Sequence, residues 1–269
     1  MFRDELQLME INVPRAALQL ARAVAYPNLN VAQYMSRLHE LSEEGAEVIG
    51  KDLPVAMQVE QLSEFLFGTA GFHGNRSNYQ DPLNSFLNEV MDRRAGIPIT
   101  LSILYIDIAT QIGIPAYGIG LPGHFIVGIH DKESDIWLDP FHEGRILDLS
   151  DCADLIRFST GYEGPLEASW FEPIPALAIL ARMLGNLRSA YVGSRSWPQA
   201  AGVIQLLRQV QPGEPEHLRD LGLVYYHKRN LPQAAHYLNS YLQRRPDAGD
   251  AQVIRDGIKH ILDEWVPMN

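Results

Sequence analysis

The sequence predicts an α+β domain, mostly helical with a small antiparallel sheet, followed by an all-α stack of helical hairpins. Two observations carry that prediction. Between Arg93 and Leu149, an apolar helix pattern is followed by short alternating segments separated by Gly/Pro turns. Near the C-terminus, Pro198-Gln199-Ala200-Ala201 recurs 34 residues later as Pro232-Gln233-Ala234-Ala235. A switch from period two to a hairpin-length repeat marks two kinds of architecture in one chain.

Residues 1–92 read as helices with short breaks. Pro14 suits the first turn of a helix carrying Ala17, Leu18, Leu20, Ala21 and Val24 on one side. Tyr26-Pro27-Asn28-Leu29-Asn30 breaks it. A second helix runs from Val31 to Leu41 and is expected to end in the polar run Ser42-Glu43-Glu44-Gly45. A third spans Met57–Phe67. Asp81-Pro82 opens a further turn of helix, with Asn84 and Asn88 bonding locally.

The next helix starts at Pro98, where the missing N–H costs nothing, and stops at Gly113. Ile99, Leu101, Ile103, Leu104, Ile106, Ile108 and Ile112 surround it with apolar side chains, as in a core helix. A strand over Tyr117–Leu121 and a Pro122-Gly123 turn follow. Then Val127 and Ile129 alternate with Gly128 and His130, and Ile136 and Leu138 with Trp137 and Asp139. The cluster Asp131–Ser134 is the turn between them. Setting His130 opposite Asp135 pairs Ile129 with Ile136 and Val127 with Leu138, all on one face. A one-residue slip would break that match. In this register His124 is the diagonal neighbour of Asp139, within reach of an imidazole and a carboxylate.

Helix, strand, His strand, Asp strand is the core layout of the papain-like transglutaminase fold, and this segment resembles the transglutaminase-like superfamily. Active members carry Gly-x-Cys at the start of the core helix, a His opening one strand and an Asp-Pro closing the next. Gly96-Ile97-Pro98 occupies the first position, so Pro98 stands where the thiol would be. His124 and Asp139-Pro140 match the others. The chain further resembles the degenerate branch fused to tetratricopeptide repeats, the Sir-regulator family. The residues that carry this are Phe72-His73-Gly74-Asn75, Asn78-Tyr79-x-Asp81-Pro82-x-Asn84-Ser85-Phe86-Leu87-Asn88, Gly96–Ser102 and Pro122-Gly123-His124-Phe125.

The resemblance implies a domain without its nucleophile. Nucleophilic catalysis needs an activated atom within hydrogen-bond reach of its base, and Pro98 has none. The only cysteine, Cys152, lies beyond the hairpin among acidic residues, which raise a thiol pKa. Thr100 and Ser102 are weak substitutes. Two positions along a helix turn a side chain by about 200°, and four bring it back about 6 Å further along the axis. Ser102 is expected instead to bond a carbonyl in the preceding turn. His124 and Asp139 then form a degenerate dyad. The expected binding residues are His73, Asn75, Asn78, Tyr79, Asn84, His124 and Phe125. His130, His142, His217, His227, His236 and His260 show no metal-ligand spacing and are expected at the surface. No metal and no cofactor are expected.

The repeat resembles tetratricopeptide repeats. Tyr191 recurs as Tyr225, Pro212 as Pro246 and Leu187 as Leu221, while Arg188 stands where a small residue is usual. The expected domains are 1–165 (helical lead 1–92, core helix and sheet 93–149) and 175–269, with repeats 181–214 and 215–248. A helix Ala251–Trp265, within 249–265, caps the stack. Among 269 residues, 46% are hydrophobic, as in an ordinary globular protein. The net charge of −11 disfavours nucleic acid as a partner. One cysteine suits a reducing cytoplasm, the start Met1-Phe2-Arg3-Asp4-Glu5 leads us to expect no signal peptide, and no apolar run reaches bilayer length. The function expected is a non-catalytic interaction or regulatory protein of bacterial type that binds protein or peptide, with the repeats as binding module or buttress. The alternative is a hydrolase or acyl-transferase using Ser102 or Thr100 with His124 and Asp139.

Overall fold

A computed structural model describes residues 2–131 and 135–265. The chain forms two compact units, one ending at Met183 and the other starting at Leu184. The class is α+β, as predicted, with the small antiparallel sheet in the first unit. Among the described residues no helix is long and apolar enough to cross a membrane.

The first unit opens with one turn, α1 (Phe2–Glu5), and α2 (Val13–Val24). The Asn12 side chain accepts from Arg15 N at 2.9 Å and caps α2. Ala17, Leu18, Leu20 and Ala21 are buried, while Val24 is only half-buried. Helix α3 (Val31–Val48) runs straight through Ser42–Gly45, where an end was expected. The polar residues there are tertiary contacts. Ser42 Oγ donates to His39 O at 2.7 Å and faces Gln111 Oε1 at 3.0 Å, and Gly45 lies against the Phe65 ring. Next comes α4 (Val55–Ser63), which widens into a π-helical turn at Glu64–Thr69.

β1 (His73–Gly74) pairs in parallel with β2 (Ala95–Gly96), and α5 (Leu87–Arg93) lies between them in sequence. His73 N donates to Arg94 O and Asn75 N to Gly96 O, both at 2.9 Å. The Phe72–Asn75 stretch is thereby tied to the residues that lead into α6 (Pro98–Gln111). Ile99, Leu101, Ile103, Leu104 and Ile108 of α6 are all buried, at roughly 1.5–3 kcal/mol per side chain.

β3 (Ala116–Ile119), β4 (Ile126–Ile129), β5 (Ile136–Asp139) and β6 (Arg145–Leu147) form one antiparallel sheet in sequence order. The hairpin register is the predicted one, with Val127 opposite Leu138 and Ile129 opposite Ile136. Residues 132–134 of the expected turn lie outside the described residues. β3 ends before Leu121 because the turn begins there: His124 N donates back to Leu121 O at 3.2 Å. β6 was not predicted. It leads into α7 (Leu149–Thr160), where Asp148 accepts from Asp151 N and Asp151 accepts from Asp148 N.

Helix α8 (Ala176–Gly193) crosses from the first unit into the second. The second unit continues with α9 (Trp197–Val210), α10 (Glu216–His227), α11 (Leu231–Arg244) and α12 (Ala251–Trp265). Ala200 and Ala234, equivalent in the repeat, are both fully buried where helices meet. Arg188, the residue out of pattern, bonds Asp220 of α10 at 2.8 Å, so it links successive repeats. Ile254, Ile258 and Ile261 of α12 pack with Leu238 and Tyr241 of α11. His217, expected at the surface, is buried at the start of α10 and bonds Gln211 at 3.2 Å. Burial pushes its pKa down.

Candidate functional site

The site is built on two turns at one end of the sheet. The turn Leu121-Pro122-Gly123-His124 needs glycine: Gly123 has φ +72°, and a Cβ there would lie 2.3 Å from Ser159 Oγ. Arg182 fastens the same turn by donating to the carbonyls of Leu121 and His124. Gly123→Ala should therefore lower the melting temperature. The left-handed backbone alone costs about 1–2 kcal/mol. Adding Ser159→Gly should recover the steric part and leave the backbone part. A melt equal to wild type would show that the turn adjusts.

From this turn His124 reaches Asp139, the last residue of β5, and Nε2–H donates to Oδ2 at 2.8 Å. His142 Nδ1 meets the same oxygen at 2.7 Å. The other oxygen, Oδ1, accepts from Phe141 N at 2.9 Å. The Asp139 side chain is 1% exposed. Burial alone would raise its carboxyl pKa. The hydrogen bonds from His124 and His142, helped by their charge, outweigh this and hold it well below the usual carboxylate range. A carboxylate on one ring nitrogen fixes the tautomer and orientation of the imidazole.

His142 is a correction to the expectation of a surface histidine. The Asp139-Pro140 step folds into a short 3-10 turn, Pro140–His142, and the i,i+3 spacing brings His142 back onto Asp139. A histidine three residues after a strand-ending Asp-Pro was the available signal, since residues so spaced on a helical turn are neighbours.

The polar segment resembling the family signature forms a knot beside these turns. Asn75 Nδ2 donates to Asn84 Oδ1 at 2.9 Å, and Asn78 N donates to Asn75 Oδ1 at 3.1 Å. Asn84 Nδ2 donates to Asn78 O at 2.8 Å. Thr100 Oγ1 donates to Asn84 O at 2.8 Å, which joins the knot to the start of α6. Asp81 caps its turn as expected, accepting from Leu83 N. Asn88 does not bond locally through its carbonyl, because Oδ1 is buried without a partner. Gly74 packs on the site turn so closely that a Cβ would lie 2.5 Å from Phe141 O.

A cavity of about 940 Å³ opens beside the His124–Asp139–His142 cluster. Of the predicted binding residues, Tyr79 and His124 line it. His73, Asn75, Asn78 and Asn84 are not among the lining residues. Phe125 is 1% exposed and lies under the Arg182 guanidinium. The sequence reading missed His142, Arg76, Arg145 and Phe158 in the lining. Phe158 is 94% exposed, a large apolar side chain at the rim.

Pro98 is buried as the first residue of α6. Ser102 is buried, and its hydroxyl has no hydrogen-bond partner, so neither His124 nor the expected carbonyl of the preceding turn receives it. Its neighbours Leu101 and Ile103 are buried apolar residues. Thr100 is engaged with Asn84 O and Ile97 O. Cys152 is buried on α7. Burial first, then Asp151, Asp148 and Asp139, pushes its thiol up to about 12.

A core helix feeding a small antiparallel sheet, with His and Asp meeting across its end and helical hairpins following, defines a transglutaminase-like domain joined to tetratricopeptide repeats. The chain belongs to the transglutaminase-like superfamily, whose profile matches residues 32–185, and a tetratricopeptide-repeat profile matches residues 187–259. A UPF0162 protein of Xylella fastidiosa (strain 9a5c) is 33% identical over 253 residues, which span 93% of this chain and 90% of that one. UPF0162 protein YchA of Escherichia coli (strain K12) is 24% identical over 248 residues, 91% of this chain and 90% of that one. F-box only protein 21 of Homo sapiens is 28% identical over 188 residues, 65% of this chain but 29% of that larger one.

Proposed function

We propose that the chain is a non-catalytic interaction or regulatory protein that binds a protein or peptide segment in the cavity beside His124. The tetratricopeptide repeats, a module that generally mediates protein–protein interaction, assist as a second contact surface or a buttress. One observation carries the reading. An intact His–Asp pair lines a sizeable cavity, and Pro98, which the resemblance aligns with the nucleophile, starts α6 without a nucleophilic atom. The cavity wall mixes apolar Tyr79, Leu155 and Phe158 with charged Arg76, Arg145 and Asp154, a composition suited to a peptide rather than a small apolar ligand. The hydrolase alternative needs a hydroxyl bonded to its base. The engagement of Thr100 and the isolation of Ser102 weigh against it. The net charge of −11 argues against nucleic acid, and the single buried thiol fits a reducing compartment such as the cytoplasm.

The test is recovery of partners from a native lysate by wild type and by Phe158→Asp, a substitution at an exposed residue that leaves the core alone. A partner held by wild type and lost by the variant is the expected result. Equal recovery by both would place the contact elsewhere. Amine incorporation into glutamine peptides should show no turnover. Turnover that disappears in Cys152→Ser or Ser102→Ala would overturn the non-catalytic reading.

A further inference from the structure

An oriented imidazole needs one carboxylate and no second histidine, so the Asp139 contact from His142 is left without a purpose. We propose that His124, Asp139 and His142 form a binding site for one divalent first-row transition-metal ion of the Zn²⁺ kind, open to the cavity. Each residue offers one ligand atom, and the three atoms lie within 4.8 Å of one another. Zinc holds nitrogen and carboxylate oxygen at about 2.0–2.2 Å, which sets ligand atoms roughly 3.3 Å apart around a tetrahedral ion. The contacts of 2.8 and 2.7 Å to Oδ2 need to widen only by about half an ångström to meet that geometry.

The surroundings support such an ion. Asp139 Oδ1 is fixed by Phe141 N–H, an outer-shell bond of the type that orients a metal-ligating carboxylate. With both imidazoles neutral the cluster carries one negative charge. Binding moves the proton of each ring from the ligating nitrogen to the other one, Nε2 to Nδ1 in His124 and Nδ1 to Nε2 in His142, with no net release. His142 is 37% exposed and rides on a three-residue turn, so it can give way and admit the ion. Two imidazoles and one carboxylate favour zinc or ferrous iron over magnesium or calcium, which prefer all-oxygen shells. Three protein ligands leave a fourth position, facing the cavity, for water or an oxygen of a bound molecule. The ligands come from a loop, a strand end and a turn, and only Asp139 and His142 are close in sequence.

The test titrates ZnCl₂ into the full chain, stripped with chelator and dialysed, near neutral pH by calorimetry. It reads the ion alone, so its outcome is separate from that of the peptide reading. Wild type should bind one equivalent. His142→Ala and the bulk-preserving His142→Gln should weaken binding at least ~100-fold, since even outer-shell changes cost 10–100-fold. His130→Ala should change nothing, because His130 pairs with Asp135 and not with this cluster. Cobalt should give visible bands with wild type that both His142 variants lose. Absence of binding by wild type, or binding undiminished by both His142 variants, overturns the site.

Discussion

Asp139→Ala is expected to destabilise the first unit by at least about 3 kcal/mol, because it removes three hydrogen bonds to a charged acceptor, each worth about 1.5–3 kcal/mol. The carboxylate accepts from His124, His142 and Phe141 N–H, and its side chain is 1% exposed. Asp139→Asn should cost less, since an amide oxygen still accepts. The same contacts predict a pH dependence. The carboxyl pKa is depressed in the folded chain. Its stabilisation is therefore complete above the unfolded value of about 3.9 and is lost progressively as pH falls from there toward the folded value. Urea melts of wild type should show declining stability below about pH 4, and the Asp139→Ala variant a shallower decline. Equal melts at neutral pH would mean that the carboxylate is solvated and holds nothing together.

Pro98→Cys should produce a thiol of lowered pKa. Position 98 starts α6, where backbone N–H groups point outward and favour a thiolate. The Pro140–His142 turn packs against the same helix, so the histidine cluster lies on that side. Position 98 is buried, which makes alkylation a poor probe. Thiolate absorbance in the ultraviolet reads the titration without reagent access. The midpoint should fall at least about one unit below the free-cysteine value of 8.5, and adding His124→Ala should return most of that shift. A midpoint at or above 8.5, unmoved by His124→Ala, would show that Pro98 does not stand in for a nucleophile. The proposal of a degenerate domain would then lose its main support.

Period and burial made much of the first unit readable. The core helix from Pro98, the β4–β5 register and the Asp81 cap each rest on local rules, and each is found where those rules put it. The His124–Asp139 pairing followed from the same register, because a slip would have exposed Ile129 and Val127. The repeat was legible for a similar reason: Ala200 and Ala234 recur because each hairpin solves the same packing problem. Other features depended on partners far away in sequence. Ser42–Gly45 reads as a helix end, yet Gln111 and Phe65 turn it into helix interior. The Asn75–Asn84 segment reads as local caps, and the structure adds longer links: Asn75 and Asn84 bond each other through their side chains, and Thr100 Oγ1 donates to the Asn84 carbonyl.

By itself the sequence determined the fold class, the register of the β4–β5 hairpin and the meeting of His124 with Asp139, because hydrophobic period, the internal repeat and the burial of one sheet face fix them. Only the tertiary structure decided that Phe158 and two arginines ring a cavity, and that Ser102 is sealed off. Those outcomes depend on which faces of separate elements come together, and a linear pattern does not carry that information.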